Sequence, residues 1–188
     1  MSGWQGLSSL SPRQYVCAYC GNLVATKEGY FLNATQINRF IYICPKCEDP
    51  TYFRQNEQLP SPVLGNPVHN LPDDVGKLYD EARKCTASGG STAAVLLCRK
   101  LLMHLAVEKG DKPGKNFAEY VEYLGKSGYV PPGATEWVDH IRAQGNEANH
   151  EIKFMSPSIA QELLQFLEML LKFIYEYPAK MKAKKTGP

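Results

Sequence analysis

The chain has 188 residues, 44% of them apolar, and a formal net charge of +2. This composition is typical of a soluble globular protein with one sizeable core and room for a small second module. A nearly neutral chain has no general attraction to nucleic acid, so any such attraction must come from local clusters of charge. No apolar run reaches the roughly eighteen residues of a membrane span, and the N-terminal stretch lacks the layout of a signal peptide. We therefore expect a cytoplasmic protein that does not enter a membrane.

Two C-x-x-C motifs give the most specific signal in the sequence. Cys17 and Cys20 form the first motif, Cys44 and Cys47 form the second, and Gly21 allows a tight backbone turn directly after the first. Four thiolates fill the tetrahedral coordination sphere of zinc, so the pattern predicts a structural zinc ion rather than a catalytic one. A redox pair or an iron centre is the alternative for cysteines at this spacing.

The stretch between the two motifs has strand character, above all at 37–43, and it predicts a zinc ribbon at residues 1–57 that depends on metal to fold. Zinc ribbons bind nucleic acid, bind proteins or act as spacers, and the spacing of the cysteines does not distinguish these roles. Cys85 and Cys98 fall in predicted helices, where reduced thiols pack as small apolar groups. Seven aromatic residues could form either a stacking surface or the core of the ribbon: Tyr19, Tyr30, Phe31, Phe40, Tyr42, Tyr52 and Phe53.

A proline-rich connector at 58–72 separates the ribbon from a helical domain at 73–178, and a basic tail at 179–188 is expected to be disordered. The predicted fold class is α+β, with a small N-terminal zinc ribbon followed by a mainly helical bundle of about five helices. The helices are expected near 73–86, 91–109, 116–124, 135 onwards and 157–178, with N-caps at Ser91 or Thr92, Asn116, Thr135 and Ser156.

The fourth predicted helix carries an unusual set of polar residues. On an unbroken helix Arg142, Asn146 and His150 project from one face, because each step of four residues turns the direction by only about 40°. An arginine that forks onto phosphate oxygens and a histidine that titrates near neutral pH suit the binding or cleavage of a phosphodiester. Gly145 could instead break the helix, which would leave a junction capped by Asn146 and a hydrogen-bonded histidine.

Arg99 interrupts the apolar residues of the second predicted helix, which cover most of its circumference. A buried arginine needs a partner, so we expect Arg99 to pair with a carboxylate or to help line the polar site around His150.

Three segments resemble domain-of-unknown-function family 4145, a member of the HEPN-like helical superfamily that is often found with an N-terminal zinc ribbon. They are LPDDV at 71–75, RKLL at 99–102 and GNEANH at 145–150. The resemblance covers nearly the whole chain. It implies a dimerising helical bundle, and the active members of the superfamily are metal-independent ribonucleases of toxins, anti-phage systems and CRISPR effectors that use an Arg and a His separated by a short spacer. Seven residues separate Arg142 from His150 in this chain.

Two hypotheses therefore stand. In the first, the protein is a nucleic-acid-directed component of a prokaryotic conflict or anti-phage system and cuts RNA without a metal, with Arg142, Asn146 and His150 as catalytic residues and Arg99 and Asn149 as substrate contacts. In the second, the same residues form hydrogen bonds across the two-fold interface of a homodimer, and the zinc ribbon recruits a protein partner. A homodimer is expected under either hypothesis.

Overall fold

The computed structural model describes residues 6–32, 39–131, 135–146 and 154–185, with the backbone alone at 135, 142–146 and 185. The chain divides into two compact units. The sheet unit contains Met1–Val63 with Ala87–Gly89, and the helical unit contains Leu64–Thr86 with Gly90–Pro188. An antiparallel sheet followed by helices confirms the α+β fold class.

The sheet unit is an antiparallel meander of five strands, each paired with its neighbours in sequence. The first strand contains a bulge between Ser9 and Arg13, which allows two unequal lengths of chain to pair. The expected strand at 37–43 is present from Arg39, and its first two positions lie outside the described residues. The strands are β1 (Ser8–Val16), β2 (Leu23–Phe31), β3 (Arg39–Ile43), β4 (Pro50–Arg54) and β5 (Glu57–Leu59).

One face of this sheet carries a small aromatic core. Tyr15, Tyr42 and Phe53 are all buried, and the ring of Phe53 meets the rings of Tyr15 and Tyr42 edge to face, at centroid distances of 5.2 and 5.6 Å. Cys17 and Cys44 belong to the same buried cluster. The aromatic core and the cysteines therefore form one continuous body.

The helical unit is built around its second helix. The helices are α1 (Asp73–Ala87), α2 (Ser91–Glu108), α3 (Phe117–Lys126), α4 (Thr135–Asn146), α5 (Pro157–Leu171) and α6 (Tyr177–Lys185). The apolar residues Val95, Cys98, Leu101, Leu102, Leu105 and Ala106 of α2 are buried, whereas Leu96 and Val107 are exposed. Helix α2 packs against both α3 and α5. Among the described helices, none is long and apolar enough to cross a membrane.

The predicted helix starts are confirmed at two positions and wrong at one. Asn116 and Glu119 form a reciprocal capping box at α3, and the Ser156 hydroxyl accepts a hydrogen bond from the N–H of Ile159 at α5. Helix α2 instead begins after Gly90 without a side-chain cap. Thr92 does not cap the helix because its hydroxyl instead accepts a hydrogen bond from the N–H of Met155 at 3.0 Å.

The helix that was expected to end at Pro178 continues to Lys185, so the described part of the basic tail is helical. A π-turn at Lys172–Glu176 joins α5 to α6, and Tyr177 donates its N–H to the carbonyl of Lys172. Proline breaks a regular helix because it cannot donate to the carbonyl four residues before it. The wider turn directly before Pro178 shifts the hydrogen-bond pattern there, which allows the helix to accept the proline.

The second half of the proline-rich connector is fixed to the helical unit by buried glutamates. Glu168 on α5 accepts hydrogen bonds from both the backbone N–H and the side-chain amide of Asn66, at 2.8 and 2.9 Å. Glu176 in the π-turn accepts from the N–H of His69 at 2.9 Å. Tyr79 on α1 completes the attachment by donating its hydroxyl to the carbonyl of Asn66 at 2.9 Å.

Replacement of Glu168 tests this attachment. We expect Glu168→Gln to lower the free energy of unfolding of the helical unit by about 2 kcal/mol, because the amide cannot accept from Asn66 at both of its terminal atoms and loses the charged contact with Lys172. Urea denaturation at pH 7 measures this loss. The matched control is Glu162→Gln on the same helix, an exposed glutamate whose replacement should cost less than about 1 kcal/mol.

The difference in stability between wild type and Glu168→Gln should depend on pH. Burial raises the pKa of the Glu168 carboxyl, but hydrogen bonds from Lys172 and Asn66 outweigh burial and hold the pKa below its ordinary value of 4.5. A lowered pKa in the folded state contributes stability that is present above the ordinary value and is lost as the pH falls through the folded value. The difference between wild type and Glu168→Gln should therefore shrink below about pH 4.5, and a constant difference would contradict this account.

Candidate functional site

The two C-x-x-C motifs form two turns with the same backbone hydrogen bonds. Cys17 exchanges bonds with the residues that follow its motif: its N–H donates to the carbonyl of Asn22, and its carbonyl accepts from the N–H of Gly21, both at 2.9 Å. Cys44 repeats the pattern with Asp49 at 3.1 Å and Glu48 at 2.9 Å. Each turn follows directly on a strand, β1 or β3, so the sheet places both turns at one end.

The four sulfur atoms of these turns converge on one point. The Sγ atoms of Cys17 and Cys47 lie 3.6 Å apart, those of Cys20 and Cys44 lie 3.8 Å apart, and all four lie within 4.8 Å of one another. Cys17 and Cys44 are fully buried. The arrangement could hold one metal ion, and all of its ligands would come from the protein.

Polar groups around the cysteines have two effects. They favour the thiolate form of Cys20, and they connect the two turns by hydrogen bonds. A backbone hydrogen bond from Asn22 lowers the pKa of the Cys20 thiol to about 6. The side chain of Asn22 donates to the carbonyl of Cys20 at 2.7 Å and accepts from Lys46 of the second turn at 2.8 Å. Burial raises the pKa of the Cys17 thiol, so a bound cation would favour the ionisation of that sulfur.

Both turns need a backbone conformation that favours glycine. Gly21 has a φ of +68°, as its place after the first motif predicts, and Glu48 has a φ of +62° at the equivalent place in the second turn. The glutamate was not singled out from the sequence, although its position after the second C-x-x-C motif repeats that of Gly21. A side chain other than glycine is strained in this conformation by about 1 kcal/mol.

The polar residues predicted for the helical unit are placed only in part. Positions 142 and 146 lie in the continuous helix α4, which includes Gly145, whereas Asn149 and His150 fall outside the described residues. Helix α4 ends at Asn146, directly after Gly145, and 147–153 lie outside the described residues, so the alternative of a break at Gly145 and the catalytic assignment both stay predictions.

Arg99 is buried in α2, with 4% of its surface exposed, and its guanidinium carbon lies 4.5 Å from the centroid of the Phe117 ring. A cation over an aromatic face offsets part of the cost of burying the charge. Burial lowers the pKa of this guanidinium. Its predicted role as a substrate contact is not tested by this placement.

The structure also brings together a polar group that sequence reasoning missed. His140 on α4 contacts Glu162 on α5, with 2.7 Å between Nε2 and Oε2, and Ser158 donates to the other carboxylate oxygen at 2.9 Å. The hydrogen bonds from Ser158 and His140 lower the pKa of Glu162. His140 and Glu162 are 22 residues apart and share no motif, so only the packing of the two helices reveals the pair.

Fold and site together define a class of protein in which a β-sheet unit with a four-cysteine metal site is joined to a helical bundle. The family model described as Domain of unknown function (DUF4145) matches residues 80–186, and the chain belongs to this family. Comparison with the curated proteins and with the solved structures found no significant match to either.

Opposite substitutions in the two turns test their equivalence. We expect Gly21→Ala to lower the free energy of unfolding of the metal-loaded sheet unit by about 1 kcal/mol, because alanine is strained at a positive φ. Glu48→Gly should raise the free energy of unfolding by a similar amount. Thermal unfolding followed through the aromatic core measures both changes.

The control is Glu57→Gly in β5, which removes the same side chain from an extended strand and should lower the free energy of unfolding by roughly 0.5 to 1 kcal/mol. If Glu48→Gly were as destabilising as Glu57→Gly, the strain assigned to Glu48 would be refuted.

Proposed function

We propose that the protein is a nucleic-acid-directed component of a prokaryotic conflict or anti-phage system, in which a structural zinc ion maintains the sheet unit and the helical unit cuts RNA without a metal. Arg142, Asn146 and His150 are the proposed catalytic residues. The observation that carries the proposal is that positions 142 and 146 both lie in α4, where residues four apart project from one face.

The cysteine geometry supports zinc as the metal. Four sulfur ligands placed tetrahedrally at about 2.3 Å from zinc lie roughly 3.8 Å from one another. The two sulfur pairs, at 3.6 and 3.8 Å, agree with this spacing. Four cysteine ligands also complete the coordination sphere, which favours a structural role and assigns the chemistry to the helical unit.

The proposed reaction is a transfer within the RNA backbone. His150 accepts the proton of a ribose 2′-hydroxyl, the 2′ oxygen forms a bond to phosphorus, and the bond from phosphorus to the 5′ oxygen breaks. The leaving oxygen takes a proton from water. Arg142 stabilises the charge that develops on the phosphate, and Asn146 orients it. The products carry 2′,3′-cyclic phosphate and 5′-hydroxyl ends.

An association module is the second candidate, and an exposed apolar row favours it. Phe173, Tyr177 and Met181 follow one another at four-residue intervals and are 46%, 45% and 57% exposed. The rings of Phe173 and Tyr177 meet edge to face at 5.4 Å. Apolar side chains arranged in this way are typical of a contact surface between proteins. In this candidate function the helical unit forms a homodimer and the sheet unit recruits a protein partner.

A cleavage assay with matched histidine variants separates the two candidates. Wild type incubated with RNA in a buffer that contains EDTA should produce cyclic phosphate ends, and His150→Ala should reduce the rate by at least about 100-fold because the general base is lost. The control is His140→Ala, which removes an exposed histidine from α4 and should leave the rate nearly unchanged. Zinc content is measured after each reaction.

Equal rates for wild type and His150→Ala, with zinc retained, would reject the nuclease. In that case a concentration-dependent molecular mass that falls in Phe173→Ser would support the association module.

Zinc removal has a separate expected result. The purified protein should contain one equivalent of zinc, and Cys47→Ser should lose it together with the fold of the sheet unit, because the metal supplies much of the folding free energy of small four-cysteine domains. The helical unit has its own core and should keep its melting transition. Metal analysis and circular dichroism test these outcomes, and a folded sheet unit in metal-free protein would contradict them.

A further inference from the structure

The face of the sheet opposite its aromatic core carries an ordered row of side chains. Tyr30 pairs with Ile41, Ile41 with Tyr52, and Tyr52 with Leu59. Directly paired residues share one face of a sheet, and successive residues alternate between faces. The row therefore crosses β2, β3, β4 and β5 on the side away from Phe53. We call this side the outer face.

The side chains of this row are accessible. Leu59 is 39% exposed, and Tyr30, Ile41 and Tyr52 are partly exposed, in contrast to the buried rings of the core face. Tyr30 and Tyr52 are two strands apart, roughly 9 to 10 Å, with Ile41 between them. At that separation the two rings do not stack on each other, and both side chains are partly exposed.

Two arginines lie directly opposite each other beside this row. Arg39 on β3 pairs with Arg54 on β4, two positions along each strand from Ile41 and Tyr52 and thus on the same face. Like charges in a direct cross-strand pair are destabilising unless an anion lies between them. The Nε atom of Arg39 is shielded from solvent, and no acceptor among the described residues bonds to it.

We infer that the outer face binds single-stranded nucleic acid, with bases on Tyr30 and Tyr52 and phosphate groups on Arg39 and Arg54. Base stacking on aromatic rings beside a positively charged track is the general mode by which sheet surfaces hold single strands. A duplex keeps its bases stacked inside and offers none to the rings. A protein partner would have to bring carboxylates to the arginines and planar side chains to both rings, whereas each nucleotide of a single strand carries a phosphate and a base.

This inference deepens the proposed function, because the outer face would hold the strand that the helical unit cuts. It rests on that proposal only for the choice of RNA as the nucleic acid. Binding and cleavage are therefore measured separately, in the full-length His150→Ala protein for binding and in wild type for cleavage.

The experiment uses a fluorescent oligouridine of about 12 nucleotides, within the range of site sizes of single-strand-binding sheet domains. Fluorescence anisotropy gives Kd at several salt concentrations between about 50 and 200 mM. Tyr52→Leu keeps an apolar side chain but removes the ring. We expect it to weaken binding about tenfold without changing the dependence of log Kd on log salt, because stacking releases no counterions.

Arg54→Gln should weaken binding and also reduce that salt slope by about 0.7, the value for one lost phosphate contact with a single strand. The charge-matched control is Lys27→Gln in β2. Lys27 is exposed and belongs neither to the row nor to the arginine pair. Its replacement should leave Kd and slope nearly unchanged. Metal content and melting temperature confirm that each variant is folded.

Three results would overturn the inference: no binding by the folded protein, a Tyr52→Leu variant that binds as tightly as its parent, or equal effects of Lys27→Gln and Arg54→Gln. Inorganic polyphosphate that competes as well as unlabelled oligouridine would also overturn it, since that ligand has no bases. If these variants behave as expected and wild type cuts no RNA, the outer face stands and the nuclease proposal fails.

Discussion

Four thiol groups within 4.8 Å of one another constrain the sheet unit more than any other interaction. Four thiolates at this separation repel one another unless a cation lies at their centre, so the arrangement is suited to a metal ion. The aromatic core on the sheet is too small to hold the turns together against that repulsion, since few buried side chains contribute to it. Because Cys17 and Cys44 belong to the core itself, the metal site and the sheet would be lost together.

The helical unit depends on a different constraint, the supply of acceptors for buried backbone groups. The connector would bring unpaired backbone N–H groups onto α1 and α5. Glu168 accepts a hydrogen bond from the N–H of Asn66, and Glu176 accepts one from the N–H of His69. Lys172 and Lys180, each four residues from one of these carboxylates, compensate their charge. Part of the attachment of the connector is therefore encoded about one hundred residues away from it, near the π-turn, and part lies nearby at Tyr79 on α1.

The sequence predicted those features that depend on local spacing. The C-x-x-C pairs, the Asn116 capping box and the Ser156-Pro157 start are local, and the structure has all three. Features decided by tertiary contacts were missed: Thr92 bonds to Met155 instead of capping α2, and a π-turn carries the last helix past Pro178. The pairing of His140 with Glu162 likewise has no local signal. For the candidate site on α4, sequence and backbone agree on the spacing of 142 and 146, and the remaining residues are predictions.

The extent of the family match allows the functions of the helical unit and the sheet unit to be considered separately. The match spans 80–186 and leaves out the four cysteines of the metal site, so the region shared with the family lies almost entirely in the helical unit. A centre with four cysteine ligands has no open position at which to activate water, so the metal site itself does not supply hydrolytic chemistry. In the proposed function that chemistry belongs to the helical unit, and the sheet unit contributes through its surface. In that unit the core face is occupied by its own aromatic rings, with Arg13 over the ring of Phe53 at 4.3 Å. The outer face carries partly exposed tyrosines beside the pair of Arg39 and Arg54.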